Sequence, residues 1–235
     1  MPSATQHIGI VACSAEGAAL CYRTICSEGV SLMGPHNHPE VSMHTVPFVH
    51  HVESMRAGNW QGVADLLLSS TGKLARVGAD FVICPDNTAH RAMPLVHLRS
   101  PLPWLHIAEE VAREAVRRGY QKVGLTGTRA LVESEVYPEK LAALGISFVR
   151  PDMKELVRID DIVFQELVLG IFTHHSLQYF RSVVTGMRSA GCDAVVLGCT
   201  ELPLLVGAET LPLPALDSTR LLARAALARA VGCSQ

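Results

Sequence analysis

Ala194-Val195-Val196-Leu197-Gly198-Cys199-Thr200-Glu201-Leu202-Pro203 opens with four apolar residues that a glycine ends. A short run of this kind is how a strand buried on both faces of a parallel sheet reads, and a parallel sheet implies an α/β chain. The cysteine follows where that strand stops. In open α/β sheets ligands bind at the carboxyl ends of the strands, and a thiolate is a good nucleophile and a serviceable base near neutral pH. Cys199 is therefore the first candidate for chemistry.

Outward from this stretch, strands alternate with helices twice. His7 to Ala12 is an apolar strand, Cys13-Ser14-Ala15-Glu16 its turn, and an alanine-rich helix runs on through Tyr22. Glu40 to Val46 is a second strand and Ala79 to Cys84 a third. Between them Asn59 to Val77 has helical spacing, with Val63, Leu66, Leu67, Leu74 and Val77 on one face. After Pro101-Leu102-Pro103 the pattern restarts at Trp104 to Ile107. A helix over Ala108 to Arg118 follows, then a strand over Lys122 to Thr126 and a helix near Val132 to Leu144. A short strand is expected over Phe148 to Pro151 and helices over Asp160 to Leu169 and Leu177 to Ser189. The last helix, Thr219 to Val231, can pack back on the first half. The expected domains are residues 1–103 with 210–235, and residues 104–209.

Composition narrows the function classes. At 235 residues, 49% hydrophobic and 18% charged, the chain can bury a sizeable core. A formal net charge of −2, from 20 basic and 22 acidic residues spread along the chain, leaves no electrostatic footprint for nucleic acid. The expected partner is a small molecule. No run approaches the roughly 18 apolar residues of a membrane span, and Met1 to His7 lacks a basic region followed by an apolar segment. A soluble, cytoplasmic protein with no membrane partner is the expectation. The seven cysteines, at 13, 21, 26, 84, 192, 199 and 233, suit a reducing compartment, and most read as small core fillers.

A second strand end matches the first: Cys84-Pro85-Asp86-Asn87-Thr88-Ala89-His90. Asn and Thr side chains, with the backbone N–H groups of a strand-to-helix turn, suit a carboxylate. A small acid held between two such loops would expose opposite faces of one carbon to them.

Asn87-Thr88-Ala89-His90, Leu125-Thr126-Gly127-Thr128 and Leu197-Gly198-Cys199-Thr200-Glu201-Leu202 together resemble the aspartate/glutamate racemase family. Tyr22-Arg23, Gly78-Ala79-Asp80, Trp104-Leu105-His106-Ile107-Ala108 and Ile162-Val163-Phe164-Gln165-Glu166-Leu167 are also similar, so the resemblance spans most of the chain. It implies two Rossmann-like parallel-sheet domains related by a pseudo-twofold axis, with the active site in the cleft between them. It also implies no cofactor and a homodimer. Family racemases use two opposed acid/base residues, usually cysteines, one taking the α-proton and the other returning a proton to the opposite face. Cys199 matches the second of these.

The first departs from the family. Asp86 stands where the family's cysteine directly precedes the Asn-Thr pair, and the match is ungapped from Asp86 to His90. Cys84, two residues earlier, is the alternate, and it can share Asp86's side only if the loop stays extended across Pro85. An ordinary carboxylate is a weaker base than a thiolate, although burial beside a second anion narrows that gap. The expected function is a cofactor-independent amino-acid racemase, an isomerase, with Cys199 opposed by Asp86. If Cys199 alone transfers protons, the expectation becomes a single-thiol isomerase or decarboxylase acting on a small dicarboxylate. A protein that binds a small dicarboxylate without turnover ranks third.

By the same resemblance Ser14, Asn87, Thr88, Thr128 and Thr200 form the carboxylate and ammonium cradle. Arg158 is the candidate for a side-chain carboxylate, because its planar fork suits bidentate pairing; the alternative is a solvated residue at the start of a helix. His90 and Glu201 are expected to orient the loops. His36, His38, His44, His50 and His51 are dense but lack a tight ligand spacing with cysteine, and no metal is expected. Two further departures make the pocket more apolar: no histidine follows Asp217 in the last loop, and Leu131 stands where a threonine is common.

Overall fold

The computed structural model describes residues 5–207 and 210–232; Cys233 lies outside the described residues. The chain divides into two compact units, Met1–Ile107 with Thr219–Gln235, and Ala108–Ser218.

The first unit contains β1 (Ile8–Ala12), α1 (Ala15–Met33), β2 (Val41–Thr45), α2 (Phe48–Arg56), α3 (Trp60–Arg76), β3 (Phe81–Ile83), a 3-10 turn over Thr88–Ala92 and α4 (Met93–His97). Its sheet is parallel, in the order β2-β1-β3. The alternation of strand side chains divides the core into two layers. Ile8, Ile10, Phe81 and Ile83 pack with Cys21 and Ile25 of α1. Val11, Val82, Cys13 and Cys84 face the other way, onto Val63, Leu67 and Leu74 of α3. β1 and β3 are therefore apolar on both faces, which is why β1 reads as a continuous apolar run.

The second unit begins with α5 (Ile107–Arg117) and continues through β4 (Lys122–Thr126), α6 (Arg129–Val132), α7 (Val136–Ala143), β5 (Ser147–Val149), α8 (Met153–Gln165), α9 (His174–Ser189), β6 (Ala194–Leu197), α10 (Leu202–Val206) and β7 (Ala215–Asp217). This sheet is also parallel, ordered β5-β4-β6-β7. In each unit the first strand is flanked by the second and the third, so the order of the first sheet recurs in the second. Val195, Leu197 and Cys199 share one face and pack with Ile159, Ile162 and Val163 of α8 and Phe180, Val183 and Met187 of α9. The chain then returns to the first unit as α11 (Ser218–Ala230), whose Leu222, Ala223 and Ala226 join the Ile8–Ile10 layer.

The parallel α/β class expected from the strand pattern is the one observed. Several boundaries differ. Residues 210–218, expected with the first domain, lie with the second because β7 pairs with β6. Trp104 does not open the second unit: it bridges Val82 at the edge of the first sheet. α8 starts seven residues earlier than expected, since Asp152 and Glu155 close a capping box ahead of it. α2, α4, α10 and β7 were not foreseen; each is nine residues or fewer, too short for periodicity to mark.

Candidate active site

Cys199 sits two residues past the end of β6 and is 6% exposed. Its thiol donates to Glu201 Oε2 at 3.0 Å, and the Thr200 hydroxyl donates to the same oxygen at 2.8 Å. Glu201 therefore gathers its two neighbours and does not cap α10. The neighbouring exit, Thr126-Gly127-Thr128, lies against this loop. A Cβ at Gly198 would collide with the Thr126 carbonyl oxygen, and one at Gly127 would stand 3.0 Å from the Gly198 carbonyl oxygen. Thr128 caps α6 by accepting from the Leu131 N–H at 3.3 Å. Leu131 is fully buried beside both glycines. The Ser218 hydroxyl, past the end of β7, donates to the Leu197 carbonyl at 2.8 Å. Beside it, burial pushes the Tyr137 hydroxyl far up its scale, partly countered by its hydrogen bond with Ser218.

In the first unit Asp86 lies three residues past β3 and is half-buried. Its Oδ1 accepts from the Ala89 N–H at 2.9 Å, which ties the carboxylate to the start of the 3-10 turn. His90 holds the same turn. The Ile107 N–H donates to His90 Nε2 at 3.3 Å, so Nδ1 carries the proton and donates to the Asp86 carbonyl at 2.8 Å. His106 meets the His90 ring edge-on, at 4.6 Å between centroids. Asn87 is buried and Thr88 half-buried in the same turn. Ser14, at the exit of β1, caps α1 by accepting from the Gly17 N–H at 3.3 Å.

Cys84 Sγ is 3.8 Å from Cys13 Sγ and fully buried, whereas Asp86 reaches the loop. Cys13 packs in the buried layer with Val11, Val63 and Cys84, as expected of the core cysteines.

Arg158 is not at a helix start but in the body of α8, half-exposed and 3.6 Å from Glu166. Glu166 also accepts from the Ser176 hydroxyl. The histidines go to separate partners: His38 to the Pro39 carbonyl, His44 to Ser70 and Lys73, and His51 to Cys13. Among the described residues no three His, Cys, Asp or Glu side chains are placed to hold a metal ion. No helix among them is long and apolar enough to cross a membrane.

The chain is thus built of two parallel-sheet α/β units, with Asp86 and Cys199 just past the third strand of each. The chain belongs to the Asp/Glu/hydantoin racemase family, a family of isomerases, whose model matches residues 10–226. It is 24% identical over 161 residues to the broad specificity amino-acid racemase RacX of Bacillus subtilis, spanning 67% of this chain and 68% of that one. With the glutamate racemase of Thermus thermophilus it shares 31% identity over 157 residues, spanning 65% of this chain and 56% of the relative. The chain thus matches little more than half of that enzyme's length. Among solved structures, a candidate Asp/Glu racemase from Yersinia pestis superposes with a TM-score of 0.87 at 29% identity, over 96% of this chain and 99% of that one. An aspartate racemase homologue from Pyrococcus horikoshii gives 0.82 at 26% identity, with the same coverage.

Proposed function

We propose that this chain is a cofactor-independent amino-acid racemase for aspartate- or glutamate-like substrates, with Cys199 and Asp86 as its acid/base pair. The observation that carries this reading is positional. β3 and β6 hold equivalent places in their own sheets, and each delivers one proton-transferring side chain just past its carboxyl end, where α/β sheets bind ligands. One of the pair takes the α-proton of the bound amino acid to leave a carbanion, and the other gives a proton to the opposite face. Glu201, which accepts the Cys199 S–H, orients that thiol.

Asn87, Thr88, Ser14, Thr128 and Thr200 supply the donors for the substrate's α-carboxylate, and Arg158, released from Glu166, meets a side-chain carboxylate. The buried position of Cys84 favours Asp86 as the first acid/base group. A reducing, cytoplasmic setting suits a chain of this size with seven cysteines, an odd number. A homodimer is the assembly the family implies, and light scattering on the purified chain tests it.

The deciding experiment incubates the chain in deuterated water with amino acids, malonates and unsaturated dicarboxylates, following α-deuterium uptake and optical rotation. Uptake with inversion of aspartate, glutamate or a related amino acid is the expected result. Carbon dioxide release from a malonate, or double-bond isomerisation with no amino-acid exchange, would overturn it in favour of single-thiol chemistry.

A further inference from the structure

Glu166 ends α8 and takes no part in the proton transfers described above, yet its carboxylate is firmly held by one oxygen. The Ser176 hydroxyl donates to Oε2, and the Thr173 hydroxyl is a second donor to it at 3.3 Å. Ser176 is fully buried, and Thr173 caps α9 by accepting from the Ser176 N–H at 3.1 Å. The backbone is fixed as well, since the Glu166 carbonyl accepts from the Leu169 and Ile171 N–H groups, each at 3.0 Å. Oε2 is thus tied to the start of α9. The other oxygen, Oε1, faces Nη2 of Arg158, which lies about two turns earlier on α8.

That second contact is of a different kind. At 3.6 Å it is longer than an N–H···O hydrogen bond, which spans roughly 2.7–3.2 Å. The Arg158 side chain is 38% exposed and that of Glu166 19%. So open an ion pair is weak, because water screens the attraction and a long side chain loses freedom in holding it. Arg158 therefore leaves at small cost, while Glu166 stays on its hydroxyl donors. The carboxylate is the fixed partner and the guanidinium the movable one.

We propose that Glu166 stands in for the substrate's side-chain carboxylate: it keeps Arg158 paired whenever the bound amino acid lacks a second carboxylate, so that the site accepts neutral amino acids as well as acidic ones. With aspartate or glutamate, the substrate's carboxylate replaces Glu166 on Arg158, and exchanging one carboxylate for another yields little net attraction. With a neutral amino acid such as glutamine, methionine or leucine, Arg158 remains on Glu166 and no unpaired cation meets the substrate's side chain. This inference rests on the reading of Arg158 as the group that meets a side-chain carboxylate.

The test measures racemisation of aspartate, glutamate, glutamine, methionine and leucine by the full chain, Glu166→Gln, Arg158→Ala and the double variant. The full chain should turn over at least one neutral amino acid, with kcat/KM within about tenfold of the better acidic one, since an exposed ion pair discriminates no more than that. Glu166→Gln still accepts from Ser176 and Thr173 but carries no charge for Arg158. It should raise the ratio of acidic to neutral kcat/KM about two- to fivefold, the worth of an exposed ion pair, with most of the change in KM. In the Arg158→Ala background the same substitution should leave the ratio where it was. Glu166→Asp, which draws the charge back by one methylene, should move the ratio the same way by less, and it carries the test if the glutamine variant does not fold. An unchanged or lower ratio in Glu166→Gln, an equal rise with Arg158 absent, or a full chain that turns over acidic amino acids alone overturns the inference. A ratio unmoved in Arg158→Ala overturns instead the reading beneath it.

Discussion

The Glu201 carboxylate is bound to the two residues immediately before it, so the loop that carries Cys199 is organised by its own sequence. Cys199→Ser should reduce racemisation below detection, because an alcohol is a far weaker acid and base than a thiol. Glu201→Gln keeps the shape but removes the charged acceptor, and it should lower kcat by about tenfold while leaving KM within about threefold, on the usual strength of hydrogen bonds to charged groups. Steady-state kinetics on the two variants checks both. Cys199 was legible because an apolar run, a glycine and a cysteine in succession mark a strand exit. The Glu201 bond was not, since a side-chain contact across one residue leaves no periodicity. The approach of Cys84 to Cys13 was equally hidden, because it brings residues 71 positions apart together.

Among the elements, the parallel strands were the easiest to read and the short helices the hardest. β4 and β6 have the bounds expected for them, because strands buried on both faces are continuous apolar runs. β7 spans only Ala215–Asp217 and declares itself only by pairing with β6. The exits of β4 and β6 approach so closely that Gly198 has no room for a side chain. Gly198→Ala should destabilise the fold by about 1–3 kcal/mol through overpacking, since its Cβ meets backbone that cannot swing aside. Gly124→Ala should cost less, because its Cβ meets the flexible Met187 side chain. Urea denaturation of the two variants measures the difference.

Across the whole molecule, α11 is the return of the chain to the first sheet. Leu222 is fully buried in that layer, so Leu222→Ala should cost about 2–5 kcal/mol in urea unfolding. Arg224→Ala, which removes an exposed pair with Glu28 at 2.8 Å, should cost no more than about 1 kcal/mol. Acid has a separate effect through His51. Its folded value, about 4, lies below the ordinary 6.5, so between those values the unfolded chain binds more protons than the folded one. Its contribution to stability is whole above 6.5 and is lost as pH falls toward 4. A urea midpoint that falls less across this window in His51→Gln than in the unsubstituted chain bears this out; parallel curves refute it.

The return of α11 also orders events during synthesis. The first sheet emerges from the ribosome early, but one of its flanks waits for the helix that supplies Leu222, Ala223 and Ala226, translated more than a hundred residues later. Ala108–Ser218 is one uninterrupted segment and can close as soon as it is made. The unit begun first is therefore completed only after Ala108–Ser218 has been made.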